Sequence, residues 1–143
     1  MSKPLSPVEQ FNKRAIREVM KEPLPILETS TIEIASAKLS ASPSEMVEVV
    51  DNQGKLVGVA TKTSIMKAML ERGSQKNEKI TTKATYTQPL TIKDTQIVAE
   101  AIFLMNTNRV DKLPVVNDNG VLVGTISRKD LLDEVGSYLR FSL

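Results

Sequence analysis

The chain has 143 residues, of which 41% are hydrophobic, and its 19 basic and 17 acidic side chains give a formal net charge of +2. It contains neither cysteine nor histidine, which excludes disulfides, thiolate zinc sites, cysteine nucleophiles and histidine general bases. No apolar run approaches the roughly 20 residues of a membrane span, and residues 1–10 lack the apolar core of a signal peptide. We therefore expect a soluble, cytoplasmic protein without membrane insertion.

The N-terminal segment predicts one helix. Ser6 is a suitable N-cap, Pro7 fits the first helical position and Glu9 fits the third. An apolar face follows, formed by Phe11, Ala15, Ile16, Val19 and Met20. The segment has four basic residues, Lys13, Arg14, Arg17 and Lys21, which alternate with acidic ones. We therefore interpret them as a solvated helix face and not as a phosphate-binding patch.

A first unit of mixed helix and strand comes next. An extended apolar piece at residues 24–27 precedes a short helix around residues 34–39, and two strands then flank a turn at residues 51–54. Gly54 is free to adopt the positive φ that such a turn needs. A second helix is predicted from Thr61 to Arg72, with Gly73 as its C-cap.

The rest of the chain repeats this unit. Residues 47–66 align without gaps with residues 113–132, at an offset of 66, and six of the twenty pairs are identical. Upstream, residues 23–26 match residues 89–92 at the same offset, and residues 34–37 align with residues 98–101 at an offset of 64, which predicts two extra residues of the second copy near residues 106–109. The first helix of copy two is predicted from an apolar stripe, with Asp94 as its N-cap: Ile97, Val98, Ala101, Ile102 and Met105.

Two segments resemble a known family. Residues 113–132 combine an apolar-Pro-Val strand, an Asp/Asn/Gly turn and a Gly-apolar-x-Ser/Thr-x-x-Asp run that enters a helix, and residues 17–24 resemble the family's opening segment. The duplicated order is similar to that of the tandem CBS (cystathionine β-synthase) pair, or Bateman module. The resemblance implies an α+β fold in which two β-α-β-β-α motifs pack with pseudo-two-fold symmetry. We expect an N-terminal helix and lead-in at 1–22, motif 1 at 23–73, a linker at 74–84, motif 2 at 85–137 and a C-terminal tail at 138–143.

The resemblance also implies a ligand: an adenine nucleotide (AMP, ADP or ATP), or a related adenosyl compound, in the cleft between the motifs. In the family an aspartate accepts hydrogen bonds from the ribose hydroxyls, and a serine or threonine meets phosphate. These roles fall here on Asp130, Ser127 and Thr125 in copy two, and on Thr61 in copy one. The residues support a phosphate site independently, because the unpaired amides at a helix N-terminus attract anions.

Cationic side chains lie close in sequence to these candidate binding residues. Arg128 can add a bidentate contact to phosphate, and Lys62 is its counterpart in copy one. Lys112, which lies just before Leu113 and Pro114, is a further candidate. A purely structural interpretation stays open, because a serine followed three residues later by an aspartate also fits a capping box.

Copy one departs from the family's pattern at two positions. Ser64 replaces the ribose-binding aspartate, and Glu48 stands where copy two has Pro114. A serine can make one hydroxyl hydrogen bond but not a bidentate ionic one. Glu48 would repel phosphate if its side chain points inward, and it is a solvated strand residue if it points outward. We therefore predict one strong site per chain, in copy two.

Together these features predict a regulatory sensor and not an enzyme, since the sequence offers no nucleophile–base pair, clustered carboxylates or Walker-type loop. The alternatives are a nucleic-acid-binding module, a purely structural dimerisation module and a sensor of S-adenosyl ligands. We expect a homodimer, and an enzyme or transporter as a regulated partner. Two sets of apolar residues could form the dimer face or could equally belong to the core: Ile65, Met66 and Met69 in copy one, and Leu131, Leu132 and Val135 in copy two.

Overall fold

The computed structural model describes residues 3–42, 44–71, 85–86 and 88–142. Each copy has the predicted order β-α-β-β-α, which confirms the α+β class. In chain order the elements are α1 (Pro7–Asn12), α2 (Ile16–Val19), β1 (Ile26–Leu27), α3 (Ile32–Ser40), β2 (Met46–Val50), β3 (Leu56–Thr61), α4 (Lys62–Leu70), β4 (Thr85–Tyr86), β5 (Ile92–Lys93), α5 (Val98–Asn108), β6 (Lys112–Val116), β7 (Leu122–Ser127) and α6 (Arg128–Ser142).

The chain divides into two compact units. The copy-one unit comprises Leu24–Pro89 and Asn119–Leu122, and the copy-two unit comprises Met1–Pro23, Leu90–Asp118 and Val123–Leu143. The N-terminal segment thus belongs to the unit of the second copy, although it directly precedes the first copy in the chain.

The copy-one unit is a four-stranded sheet in the order β1-β2-β3-β4, covered by α3 and α4. Strand β1 runs parallel to β2, and the other two pairs are antiparallel. Alternate residues of β2 point to opposite faces, so Val47 and Val49 enter the core while Glu48 lies on the other face. The core is aliphatic, as the low aromatic content predicts: Ile26, Ile32, Ala35, Leu39, Val47, Val49, Ala60, Ile65 and Ala68.

The copy-two unit contains a three-stranded sheet in the order β5-β6-β7. The backbone of Lys21 extends this sheet beyond β7, because its amide donates to the carbonyl of Thr125 and receives a bond from the amide of Thr125, both at 2.9 Å. A glycine at position 124 favours this close approach. A Cβ on Gly124 would lie 2.5 Å from Met20 Sδ and 3.0 Å from the Lys21 carbonyl oxygen.

The N-terminal segment forms two short helices and not the single predicted one. The predicted N-cap is confirmed, since Ser6 Oγ accepts a hydrogen bond from the amide of Glu9 at 3.1 Å. The helix then breaks at Ala15, which is extended and pairs with Ile97. Two tertiary hydrogen bonds take the backbone groups that a continuous helix would use: Ile16 N to Gln96 O at 2.7 Å and Val98 N to Arg14 O at 3.0 Å.

The prediction of Asp94 as an N-cap is wrong. Helix α5 has Ile97 as its N-cap residue, without a side-chain cap. Asp94 instead prolongs the pairing of β5 with β6, since its amide donates to the carbonyl of Val116 at 3.0 Å. Of the predicted stripe, Val98, Ala101 and Met105 are buried, whereas Ile102 is exposed. The prediction of two extra residues in copy two is wrong, because β1 and β5, α3 and α5, and β2 and β6 all begin 66 residues apart. Helix α5 is two residues longer than α3, and the loop after it is two residues shorter.

Several local predictions can be compared with the structure directly. Gly54 and Gly120 adopt φ angles of +81° and +78°, as the turn chemistry predicts. Helix α6 continues to Ser142, through most of the predicted C-terminal tail. Helix α4 ends at Leu70 with Glu71 as its C-cap residue, so the predicted end at Arg72 with Gly73 as the C-cap is wrong. The linker at 74–84 lies outside the described residues. No helix in the described ranges is both long enough and apolar enough to cross a membrane.

Candidate functional site

The junction of β7 and α6 carries the predicted polar residues of copy two. Ser127 ends the strand, and its hydroxyl accepts a hydrogen bond from the amide of Asp130 at 3.0 Å, which caps α6. Thr125, two residues earlier, is 7% exposed, and its backbone is the part of β7 that pairs with Lys21. Strand pairing and helix capping thus hold Thr125, Ser127 and Asp130 in one fixed stretch of backbone.

The carboxylate of Asp130 distinguishes this junction from a simple helix cap. In a full capping box the side chain of the third residue also accepts a bond from the amide of the N-cap residue. Here the carboxylate accepts no hydrogen bond from any residue that the structure describes. The aspartate is partly buried, so its carboxylate stays available to an external donor.

Copy one has the complete capping box at the equivalent place. The amide of Ser64 donates to Thr61 Oγ1 at 2.9 Å, and the amide of Thr61 donates to Ser64 Oγ at 2.8 Å. Ser64 is 5% exposed, and Lys62 Nζ lies 3.4 Å from Glu45 Oε1. Both predicted hydroxyl contacts of copy one are therefore engaged in holding the start of α4.

Glu48 is 1% exposed, so the interpretation of this residue as a solvated strand residue is wrong. It pairs with Val59 across β2 and β3, on the sheet face opposite the core valines. Copy two has the buried Pro114 at the equivalent position. A buried carboxyl group beside a phosphate is unfavourable whenever it is ionised, which separates the chemistry of copy one further from that of copy two.

Arg128 is bonded to Asp111 and to the end of α5. Its Nη1 donates to Asn106 Oδ1 at 2.8 Å, its Nη2 donates to the carbonyl of Met105 at 3.1 Å, and its Nε lies 2.9 Å from Asp111 Oδ1. The arginine therefore ties the start of α6 to the end of α5. A phosphate contact from Arg128 would require these bonds to break. Of the other predicted groups, Lys112 begins β6 and is partly buried.

Lys21 is a cation of this region that the charge pattern did not single out. Its Nζ lies 2.8 Å from Glu134 Oε1 on α6. The hydrogen bond to Glu134 raises the pKa of Lys21 above its ordinary value; desolvation opposes the rise, and the charges of Glu134, Asp130 and Asp133 add to it. The ammonium is thus charged at neutral pH and within electrostatic reach of Asp130. The signal that could have identified Lys21 was its place within residues 17–24, the segment that resembles the family's opening.

A groove of about 310 Å³ lies elsewhere in the copy-two unit, between α1, α5 and α6. Its lining is mostly apolar and includes Phe11, Ile102, Met105, Leu131 and Val135. Of the predicted site residues only Arg128 reaches it. Because a nucleotide needs several convergent polar groups, we do not assign this groove to the predicted ligand.

The fold and the junctions define a duplicated α+β module in which each copy ends in a helix capped by the preceding strand. The chain belongs to the CBS domain family, whose model matches residues 16–71 and 82–137. It is 33% identical over 113 residues to a CBS domain-containing protein of Dictyostelium discoideum, covering 73% of this chain and 78% of that protein. It is also 31% identical over 123 residues to an inosine-5'-monophosphate dehydrogenase of Methanocaldococcus jannaschii. That alignment covers 86% of this chain but only 24% of the enzyme.

Solved structures share the fold. CBSX2, crystallised in complex with AMP, superimposes with a TM-score of 0.73 at 19% identity, covering 90% of this chain and 98% of CBSX2. The CBS domain pair of protein MJ0100, crystallised with 5'-methylthioadenosine and S-adenosyl-L-methionine, superimposes with a TM-score of 0.67 at 24% identity, covering 87% of this chain and 98% of that pair. At these identities the likeness establishes the CBS-pair fold.

Proposed function

We propose that this chain is a regulatory module that senses an adenine nucleotide at the copy-two site. The carboxylate of Asp130 carries the proposal, because it is partly buried and accepts no hydrogen bond from the described residues. Two adjacent ribose hydroxyls are the donors that such a carboxylate suits. Charge-assisted bonds of this kind are among the stronger ones available to a ligand.

The choice of an adenine compound rests on the solved relatives. CBSX2 was crystallised with AMP, and the MJ0100 pair with two adenosyl compounds. The module proposed here would hold the ribose through Asp130 and the phosphate near Ser127 and Thr125, with Lys112 as an added cation. An S-adenosyl compound is the second candidate, because it offers the same ribose diol without a phosphate.

The proposed output of the module is a change in affinity for another protein. A ligand shifts a conformational equilibrium only through its different affinities for the two states. We propose an enzyme or a transporter as the regulated partner. The dehydrogenase relative is compatible with this, since only about a quarter of that enzyme aligns with the chain.

Calorimetric titration of the wild-type chain with AMP is expected to give one strong site per chain. Copy one lacks the carboxylate, and the hydroxyls of Thr61 and Ser64 are engaged in its capping box. Parallel titrations with ADP, ATP, S-adenosylmethionine and duplex DNA discriminate the alternatives. Two tight, equal AMP sites would contradict the assignment of the site to copy two alone, and binding of DNA without any adenine compound would contradict the proposed function.

We also propose that the module is a homodimer. The predicted faces divide in the structure: Ile65 and Leu131 are core residues, whereas Met66, Met69 and Leu132 are 65%, 63% and 70% exposed. Exposed apolar residues on the second helix of each copy are suited to a protein contact. Sedimentation velocity at micromolar concentration is expected to show a dimer, and a monomer both with and without AMP would contradict this.

A further inference from the structure

We propose that Lys21 reads the anionic group of the ligand at the copy-two site and that Glu134 regulates this by competing for the same ammonium. The inference rests on the proposed function and assigns its phosphate specificity to a residue of the lead-in segment, ahead of strand β1. The inference gives Lys21 a role in binding. The charge pattern of the sequence predicts only that Lys21 lies on a solvated helix face.

The backbone fixes where Lys21 can act. Two hydrogen bonds of 2.9 Å join it to Thr125, on the strand that leads into the capped end of α6. Gly124 lets the segment lie directly against that strand, because a Cβ there would lie 3.0 Å from the Lys21 carbonyl oxygen and would displace the Met20 side chain. The base of the Lys21 side chain is therefore held beside Thr125, while its ammonium reaches α6 at Glu134.

The charges at the start of α6 favour a cation beside a bound phosphate. Asp130, Asp133 and Glu134 place three carboxylates within five residues. Lys129 is committed to Asp133 at 2.8 Å and is 84% exposed, and Arg128 is bound to Asp111, Asn106 and Met105. Because like charges repel, a phosphate next to Asp130 is favoured by a cation at the start of α6, and the Lys21 ammonium lies there beside Glu134.

The pair with Glu134 is of the kind that a ligand can displace. The side chains of Lys21 and Glu134 are 50% and 31% exposed, and exposed ion pairs contribute little net stability. A ligand phosphate carries more charge than one carboxylate and offers several acceptor oxygens, so it can take over the ammonium. The stronger the Lys21–Glu134 ion pair is, the more it lowers the affinity of the site for the anionic group of the ligand.

The test compares AMP with adenosine by calorimetry on the full chain. Lys21→Met is expected to weaken AMP binding about tenfold, the lower end for loss of a charge-assisted hydrogen bond, and to leave adenosine binding within about twofold. Glu134→Gln is expected to tighten AMP binding about threefold, the order of an exposed ion pair, again without changing adenosine. Lys21→Arg is expected to restore most of the AMP preference, and added salt is expected to narrow the wild-type gap between AMP and adenosine.

Matched controls lie on the same helix. Lys129→Met and Asp133→Asn remove a similar surface pair and are expected to change both affinities by less than about twofold. Equal losses of AMP and adenosine affinity in Lys21→Met would overturn the inference and would indicate a structural role for Lys21. Weaker AMP binding in Glu134→Gln would overturn the proposed competition between Glu134 and the ligand for the Lys21 ammonium. A wild-type chain that binds neither compound would overturn the proposed function itself, so the two failures are distinguishable.

Discussion

Replacing Asp130 with alanine is expected to weaken AMP binding by about 1.5–3 kcal/mol, the range for hydrogen bonds to a charged group. This corresponds to a roughly tenfold to 150-fold rise in Kd. The physical reason is that the carboxylate accepts no bond from the described residues, so the bonds that alanine removes are the proposed ones to the ribose. Calorimetry with AMP measures the loss, and Asp133→Ala is the matched control, because it removes a carboxylate one turn away that pairs with Lys129.

The loss of fold stability in Asp130→Ala is expected to be small. The bond that caps α6 runs from the backbone amide of residue 130 to Ser127 Oγ, and alanine keeps that amide. Ser127→Ala removes the cap acceptor and is expected to cost about 1 kcal/mol of unfolding free energy. If Asp130→Ala were the more destabilising of the two and still bound AMP normally, the aspartate would be a structural residue only.

The local features of the fold could be predicted from the sequence because short-range chemistry sets them. The repeat fixes the element order, the glycines at 54 and 120 fix the turns, and Ser6 and Thr61 fix two helix starts. Asp94 shows where such reasoning fails. It has the side chain of an N-cap, but its backbone is already bonded to β6 and to the N-terminal segment, so the helix begins four residues later.

The pairing of distant segments could not be predicted. Strand β4 lies at the start of the predicted motif 2 but joins the sheet of the first copy. Lys21 precedes the predicted motif 1 but pairs with β7 of the second copy. Neither of these two exchanges of a segment between the copies has a sequence signal of its own, because one or two extended residues show no periodicity. The second exchange has two indirect signs: Gly124, whose close neighbour is Met20, and the place of Lys21 within residues 17–24, which resemble the family's opening segment. This exchange brings a lysine to the candidate site.

The candidate site was predictable as a set of residues but not as a set of orientations. Asp130, Ser127 and Thr125 lie together because they are close in sequence at one strand–helix junction. Arg128 follows directly, but a helix turns about 100° per residue, so it points to the end of α5, where Asn106 and a carbonyl receive it. Tertiary packing determines which residues bond to Arg128, and the sequence around Arg128 does not show it.

Replacing Phe11 with alanine is expected to lower the free energy of unfolding by about 3–5 kcal/mol, the usual cost of removing a buried aromatic ring. Phe11 is 2% exposed and belongs to the core of the copy-two unit. Its ring centroid lies 5.8 Å from that of Tyr138, and Tyr138 Oη donates to Gln10 Oε1 at 2.9 Å. Chemical denaturation followed by circular dichroism measures the change, with Val8→Ala on the same helix as a control expected to stay within about 0.5 kcal/mol, because Val8 is 46% exposed.

The same substitution tests the proposed role of Lys21. Phe11 anchors α1 against α6, and the chain from α1 leads through Ile16 and Val19, both buried in the same core, to Lys21 at β7. Loosening the anchor is expected to free Lys21 from the site, so AMP affinity should fall more than adenosine affinity in Phe11→Ala at temperatures where the variant is still folded. Limited proteolysis is expected to cut the variant between Phe11 and Lys21 faster than the wild type. A variant of unchanged stability, cut at the wild-type rate, would show that the N-terminal segment is not an integral part of the copy-two unit.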